Sequence, residues 1–99
     1  MSSEGDSAHI LEVITGSRFA DAVPGRVTIV RVPPPAGRRR YQECEIELLA
    51  EASGISPRTV VMTVVFDSRR WPDAGRVLPA RISARHHDAV DVNWDALGG

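Results

Sequence analysis

The stretch Arg58–Asp67, RTVVMTVVFD, decides the fold that this sequence predicts. Nearly every position is apolar, and its Val and Thr residues are β-branched, which favours a strand over a helix. Pro57 precedes the run and Ser68 follows it, so its length is that of a single strand. Alternate side chains of a strand point to opposite faces. We therefore expect a central strand that is buried on both faces and has a neighbour on each side. One face would carry Val60, Met62, Val64 and Phe66.

Segments on either side of this run supply the neighbours, because their composition is also typical of strands. They are Arg26–Val32, Tyr41–Ala50, Arg76–Ile82 and Val90–Trp94. Pro79 cannot donate a ladder hydrogen bond, so we expect it at a sheet edge or a bulge. Strands of this length joined by turns predict a mainly all-β fold. The expected architecture is a small five-stranded antiparallel barrel, SH3-like or OB-like, with a short N-terminal helical or extended segment.

Tyr41–Ala50 alternates regularly between apolar and charged residues. The apolar face would carry Cys44, Ile46, Leu48 and Ala50. The wet face would carry Glu43, Glu45 and Glu47, an acidic stripe. Two interpretations stay open for this stripe: charge that protects a sheet edge from aggregation, or a docking surface for a basic partner, including another copy of the chain.

Length and composition narrow the class of protein. The 99 residues, 42% of them apolar, fit one domain, which we place at residues 9–97 after a disordered tail at 1–8. The net charge is −1, so the protein as a whole has no positive electrostatic field that would attract nucleic acid. No apolar run is long enough for a membrane helix, and residues 1–9 lack the features of a signal peptide. With Cys44 as the one cysteine, these features predict a cytoplasmic location.

Arginines cluster in two predicted loops, and an aromatic residue follows each cluster. The residues are Arg38, Arg39, Arg40 and Tyr41 in one loop, and Arg69, Arg70 and Trp71 in the other. Alternate loops of an up-and-down meander lie at the same end, so we expect the clusters to meet. Guanidinium groups beside aromatic rings can bind phosphate, single-stranded nucleic acid or an acidic peptide. The alternative is a pair of solvated loops, with Trp71 folded onto the barrel mouth.

The sequence offers less support for a metal site, a reactive thiol or a catalytic site. His86, His87 and Asp88 are metal-ligand types, but a closed zinc site needs four ligands and no fourth is evident, so we predict no metal site. Cys44 shares the apolar face of its strand, which indicates a buried thiol. The sequence shows no arrangement typical of a catalytic triad or a phosphate-cradling loop. We therefore predict no catalytic residues, no cofactor and no enzyme activity.

The succession from Pro24 to Trp94 resembles a small β-barrel domain of unknown function that is common in proteins of high-GC Gram-positive bacteria. The segments that carry the resemblance are Pro24-Gly25-Arg26, Gly75-Arg76-Val77-Leu78-Pro79 and Val90-Asp91-Val92-Asn93-Trp94. Ser83 and Ala84 stand where the family usually has an Asp-Pro-type turn. The resemblance implies a barrel fold and brings no catalytic residues with it.

Two rival interpretations predict helices. In the first, residues 45–66 form a helix-turn-helix with Gly54 at the turn, which would make the chain a DNA-binding regulator. The apolar run Val60–Phe66 argues against it, because a recognition helix presents polar side chains to the groove. In the second, the Gly98-Gly99 end resembles small ubiquitin-like sulfur carriers, whose folds place a helix after the first hairpin. The leading expectation is a non-enzymatic interaction or regulatory module that binds anions at the arginine loops.

Overall fold

The five segments that the sequence predicts as strands all form strands. In the computed structural model, residues 20–86 and 88–98 are described. The strands are β1 (Ala22–Arg31), β2 (Tyr41–Ala52), β3 (Ile55–Asp67), β4 (Val77–Ser83) and β5 (Val90–Val92). Short 3-10 helices follow β3 and β5, at Ser68–Arg70 and Trp94–Gly98. The five antiparallel strands curl into a half-barrel, so the prediction of a small all-β fold is confirmed. Across the described ranges, no helix has the length and apolar character needed to cross a membrane.

β1 is the centre of the sheet, whose strand order is β3-β2-β1-β4-β5. The first three strands form consecutive antiparallel hairpins, and the connection from β3 then passes to the other side of β1, where β4 pairs. The expected up-and-down meander is therefore wrong at this one connection. The expectation that Arg58–Asp67 is the central strand is also wrong, because within the described ranges β3 pairs with β2 alone and forms an edge of the five-stranded sheet.

The core lies on the inner, concave face of the sheet. Side chains from all five strands fill it, and they are Val27, Ile29, Cys44, Ile46, Leu48, Ala50, Val60, Phe66, Leu78, Ala80, Ile82, Val90 and Val92. Burial of each large apolar side chain contributes about 1.5–3 kcal/mol. The predicted inner face of β2 is confirmed, since Cys44, Ile46, Leu48 and Ala50 are at most 1% exposed.

β3 has one dry face and one wet face. Val60 and Phe66 are buried, and Met62 and Val64 are half-buried, on the face that the alternation predicted. On the opposite face Val61 is 56% exposed and Val65 is 59% exposed. The expectation of burial on both faces is therefore wrong. Periodicity in one strand cannot show whether a second layer covers its outer face, and in the described residues that face stays open.

Gly25 allows β1 and β2 to approach closely. A Cβ atom at this position would lie 2.8 Å from the Ala52 Cβ and 2.8 Å from the Ile82 Cδ1, and it would also contact the Glu51 carbonyl oxygen. Contacts that short require a backbone shift, so glycine is needed here. Gly54, with a φ of 78°, supplies the left-handed residue of the turn between β2 and β3.

Pro79 lies in β4, in continuous register with β1 opposite Arg26, so it is not at a bulge. β5 pairs only with the residues from Ala80 to Ile82. β4 is therefore unpaired on that side at Pro79, apart from a hydrogen bond in which the Asn93 N–H donates to the Pro79 carbonyl at 3.0 Å. β4 is nevertheless an inner strand between β1 and β5, so the expected edge or bulge position of Pro79 is wrong; the proline lies where the ladder with β5 ends.

The helical interpretations of the sequence are wrong. Residues 45–66 form β2 and β3 rather than a helix-turn-helix, because β-branched side chains and cross-strand packing outweigh the helix propensity of Glu, Leu and Ala. β3, not a helix, follows the first hairpin, which contradicts the sulfur-carrier alternative. The expected N-terminal segment and the disordered tail at 1–8 lie outside the described residues.

Arg58 joins the edge strand to the far side of the half-barrel. Its Nη2 donates a hydrogen bond to the carbonyl oxygen of Ser83 at the end of β4. The Ser83 hydroxyl donates to Asp21 at 2.7 Å, and the Arg85 N–H donates to the same carboxylate at 2.8 Å. The hydroxyl bond is the main reason that the pKa of Asp21 is lowered. This polar cluster closes the end of the sheet opposite the arginine loops.

Candidate functional site

The two arginine clusters meet at one end of the sheet. Arg38–Arg40 immediately precede β2, and Ser68–Arg70 immediately follow β3. Because β2 and β3 are antiparallel neighbours, these segments are adjacent. The Ser68 N–H donates to the Arg40 carbonyl oxygen at 2.6 Å, which continues the β-ladder between the two loops. We call Arg38, Arg39, Arg40, Arg69 and Arg70 the arginine end.

Asp67 organises the middle of the arginine end. Its carboxylate accepts the Arg69 N–H at 2.9 Å and lies 3.3 Å from the Arg40 Nε. The bond from the Arg69 backbone is the larger cause of the lowered pKa of Asp67, followed among the favourable causes by the bond from Arg40. The Arg40 guanidinium also stacks over the Tyr41 ring, 5.2 Å from its centroid. Arg40 is therefore held in place by its carboxylate partner and by the ring.

Gln42 holds the loop that carries Arg38 and Arg39. Its side-chain carbonyl accepts the Ala36 N–H at 2.7 Å, and its amide nitrogen donates to the Arg39 carbonyl at 2.7 Å. Gly37, with a φ of 67°, makes the turn that these bonds enclose. Both arginine side chains are exposed at the loop surface. No sequence signal marks Gln42, because its partners are backbone atoms of a loop whose conformation depends on the hairpin.

Trp71 is a structural residue at the mouth of the half-barrel. Its Nε1 donates to the Pro33 carbonyl at 2.7 Å, and its ring meets Phe66 edge-on at 5.9 Å. Trp94 packs edge-on against the same Phe66 at 5.1 Å. These contacts match the folded-down alternative for Trp71. Tyr41, which is 60% exposed, is the more accessible of the two aromatics that follow the arginine clusters.

Two of the exposed arginines, Arg39 and Arg70, line separate cavities. Arg39 lines a cavity of about 460 Å³ with Tyr41, Gln42 and Glu43. Arg70 lines another, of about 280 Å³, with Trp71 and Asp73. The arrangement therefore presents guanidinium groups over a broad surface rather than around one enclosed point.

The acidic stripe lies on β2, which is an inner strand of the sheet. Across the outer face Glu43, Glu45 and Glu47 stand opposite Val65, Thr63 and Val61 of β3. Glu47 binds the Arg31 guanidinium at 2.9 Å, and this bond is the main cause of the raised pKa of Arg31. The edge-protection interpretation is wrong for this position, because the charged strand is not the edge strand.

The remaining candidates make no site in the described ranges. His86 uses its backbone N–H to donate to the Ser83 hydroxyl at 3.0 Å, and His87 lies outside the described residues. Among residues 20–86 and 88–98, no group of His, Cys, Asp and Glu has the proximity of a metal site. Cys44 is buried as predicted, and burial raises the pKa of its thiol.

Comparison of this chain with protein-family models, with curated proteins and with solved structures gives no match. The surface chemistry of the chain itself is therefore the basis for a function.

Proposed function

We propose that this chain is a non-enzymatic interaction or regulatory module, SH3-like or OB-like in type, that binds anionic ligands at the arginine end. Arg38, Arg39, Arg69 and Arg70 are exposed, and none of them has an ion pair with another described residue. Planar guanidinium forks bind phosphate and carboxylate groups by paired hydrogen bonds. A surface with such uncompensated charges attracts anions.

The observation that carries the proposal is the hydrogen bond from Ser68 to Arg40. It joins the loop before β2 to the loop after β3, so arginines about 30 positions apart in sequence share one surface. The Asp67 carboxylate pairs with Arg40, whereas the four outer arginines form no ion pair with another described residue. Because Arg39 and Arg70 line separate cavities, an extended polyanion fits the surface better than a small, single anion does.

Acidic protein segments fit this surface better than nucleic-acid bases do. Single-stranded nucleic acid is usually held by aromatic side chains on which bases stack. Trp71 is engaged by Phe66 and Pro33, and Arg40 covers one face of the Tyr41 ring. Binding of nucleic acid would then depend on backbone phosphates alone. A protein partner with an acidic segment is the favoured ligand.

The cytoplasmic location and the kinship with the domain found in high-GC Gram-positive bacteria belong to the same proposal. The location is supported by Cys44, whose buried thiol has no disulfide partner in the described residues. Cell fractionation of the native host, followed by detection of the chain with an antibody, tests the location.

Retention on heparin tests the arginine end. The variant Arg38→Ser/Arg39→Ser/Arg69→Ser/Arg70→Ser should elute at clearly lower salt than the wild type. A charge-matched control carries the changes Arg26→Ser/Arg31→Ser/Arg81→Ser/Arg85→Ser, which remove the same charge from other exposed positions. The control should elute nearer to the wild type. Equal elution of the two variants would show that net charge, not the arginine end, governs binding.

Anisotropy of labelled ligands distinguishes the classes of ligand. We expect a poly-glutamate peptide and a single-stranded oligonucleotide both to lose affinity as salt rises, since ion pairs are screened. The peptide should bind at least as tightly as an oligonucleotide of equal charge. Tighter binding of the oligonucleotide, with a dependence on base composition, would favour nucleic acid as the ligand.

A further inference from the structure

None of the residues that the structure describes pairs with the outer edge of β3, which presents a row of free backbone groups. Hydrogen-bonded and non-hydrogen-bonded pairs alternate along an antiparallel ladder. Ser68 donates to Arg40 directly opposite, in the same register that pairs β2 with β3. The residues of β3 at even steps from Ser68 therefore bond to β2. The N–H and C=O groups of Thr59, Val61, Thr63 and Val65 point away from β2, toward the open edge.

The middle of this edge, from Thr59 to Phe66, has none of the usual protection against pairing, since the proline and the charges of β3 lie at the ends of the strand. Natural edge strands carry charges, prolines or bulges that discourage an added strand. Between Arg58 and Asp67 the 13-residue strand has no charged residue and no proline. Its register with β2 is regular from Arg58 to Asp67. Val61 and Val65 add exposed apolar surface beside the free backbone groups. Such an edge is suited to accept an extended segment as a sixth strand.

Charge on the outer face indicates the chemistry of that segment. Glu43 stands opposite Val65 and Glu45 opposite Thr63, on the strand next to the edge. Neither glutamate has an ion pair with another described residue. A strand added to β3 would lie about 10 Å from this row, two strand spacings away. Arg and Lys side chains can reach across the short Thr63 to carboxylates at that distance.

The inner face of the sheet indicates which kind of side chain the segment should carry at every second position. Met62 and Val64 are half-buried at the rim of the core. Side chains of an added strand would alternate between the outer face, on the side of the acidic stripe, and this apolar rim. We propose that the β3 edge accepts an extended protein segment in which basic residues alternate with apolar residues. This surface is separate from the arginine end and binds ligands of opposite charge.

A capped peptide of alternating arginine and valine provides the test, with fluorescence anisotropy as the binding assay. It should bind the full chain, whereas a peptide of alternating glutamate and valine should not. A block peptide with the same arginines and valines grouped apart should bind clearly more weakly, because it cannot place one kind of side chain on each face. Equal binding of the block and alternating peptides would overturn the proposal, since it would show simple charge attraction.

Methylation of the peptide backbone tests strand addition without altering the protein. N-methylation of the peptide groups that face β3 should abolish binding, because it removes the donors for the Val61 and Thr63 carbonyls. On the protein, the change Glu43→Gln/Glu45→Gln should weaken binding about three- to tenfold, the effect of two exposed ion pairs. The matched control Asp91→Asn/Asp95→Asn removes equal charge elsewhere and should leave binding unchanged. Full binding of the methylated peptide would overturn the proposal.

Amide hydrogen exchange locates the bound segment. Bound peptide should protect the amides of Thr59, Val61, Thr63 and Val65. Protection confined to other residues would overturn the proposal. So would a stable dimer of the chain that already protects these amides and that excess peptide does not displace, because the occupant of the edge would then be a second copy. The serine variant at the arginine end should still bind the peptide, so this test is independent of the anion-binding function.

Discussion

β2 and β3 are neighbouring strands of similar length. In each of them the sequence pattern disagrees with the position of the strand in the sheet, but the two disagree in opposite ways. β2 alternates regularly between apolar and charged residues, yet it is an inner strand with a partner on each side. β3 is apolar almost throughout, yet it is an edge strand with one wet face. Alternation therefore reports which face of a strand is buried, and it does not report where the strand lies in the sheet. A continuous apolar run at an edge instead indicates a surface that is suited to binding.

The two strands should differ most in how much free energy of unfolding is lost when a side chain is truncated to alanine. Leu48 of β2 is fully buried, and Leu48→Ala should lower the free energy of unfolding by about 2–5 kcal/mol. Val61→Ala on the wet face of β3 should change it by no more than about 0.5 kcal/mol. Urea denaturation followed by circular dichroism measures both. Comparable losses would mean that the outer face of β3 is covered.

The two aromatics that follow the arginine clusters should also differ in their contribution to stability, with Trp71 contributing more than Tyr41. Trp71→Ala removes the contact with Phe66 and the bond to Pro33, and should cost about 2–3 kcal/mol of stability. Trp71→Phe should cost about 1 kcal/mol, since it loses chiefly the hydrogen bond. Tyr41→Ala, at an exposed position, should cost less than either variant. Thermal unfolding of the three variants provides the comparison, and a greater loss for Tyr41→Ala would contradict it.

Acid should weaken the junction between the ends of β2 and β3. The pKa of Asp67 is lowered in the folded state from an ordinary value of 3.8. The carboxylate thus contributes stability above that value, and the contribution is lost as the pH falls through the folded-state pKa. Asp67→Asn should be less stable than the wild type near neutral pH, and the difference should shrink below about pH 4. Urea titrations across this range measure it, and a constant difference would exclude Asp67 as the cause.

The smallest effect is expected from a charge on the free edge. Thr63→Lys places a solvated side chain on the wet face of β3, so the free energy of unfolding should change by no more than about 0.5 kcal/mol. The same variant should bind the arginine–valine peptide more weakly, because it adds a like charge beside the bound strand. A large loss of stability would show that Thr63 is enclosed in the monomer.

The sequence predicted the strands well because each strand leaves a local signal. Val, Thr and Ile mark extended segments, and the alternation in Tyr41–Ala50 identified the buried face of β2 residue by residue. Strand order left no such signal. The crossing from β3 to β4 depends on which edge of β1 is free after the hairpins form, and that is a property of the whole sheet.

The candidate site was predictable in part for the same reason. Adjacency of the arginine loops follows from the antiparallel pairing of the strands that they flank. The side-chain partners do not follow from it, because they depend on loop geometry. Asp67 binds Arg40, Gln42 encloses the turn at Gly37, and Trp71 bonds to a proline carbonyl 38 positions away.

Hydrogen exchange of individual amides tests the edge position of β3 most directly. The measurement uses dilute protein whose mass is that of a monomer. We expect alternating protection along β3, with slow exchange at Val60, Met62 and Val64 and fast exchange at Val61 and Thr63. β2 should instead be protected at consecutive residues wherever it pairs on both sides. Uniform slow exchange along β3 in the monomer would show that a second neighbour covers the strand, and the proposed edge would not exist.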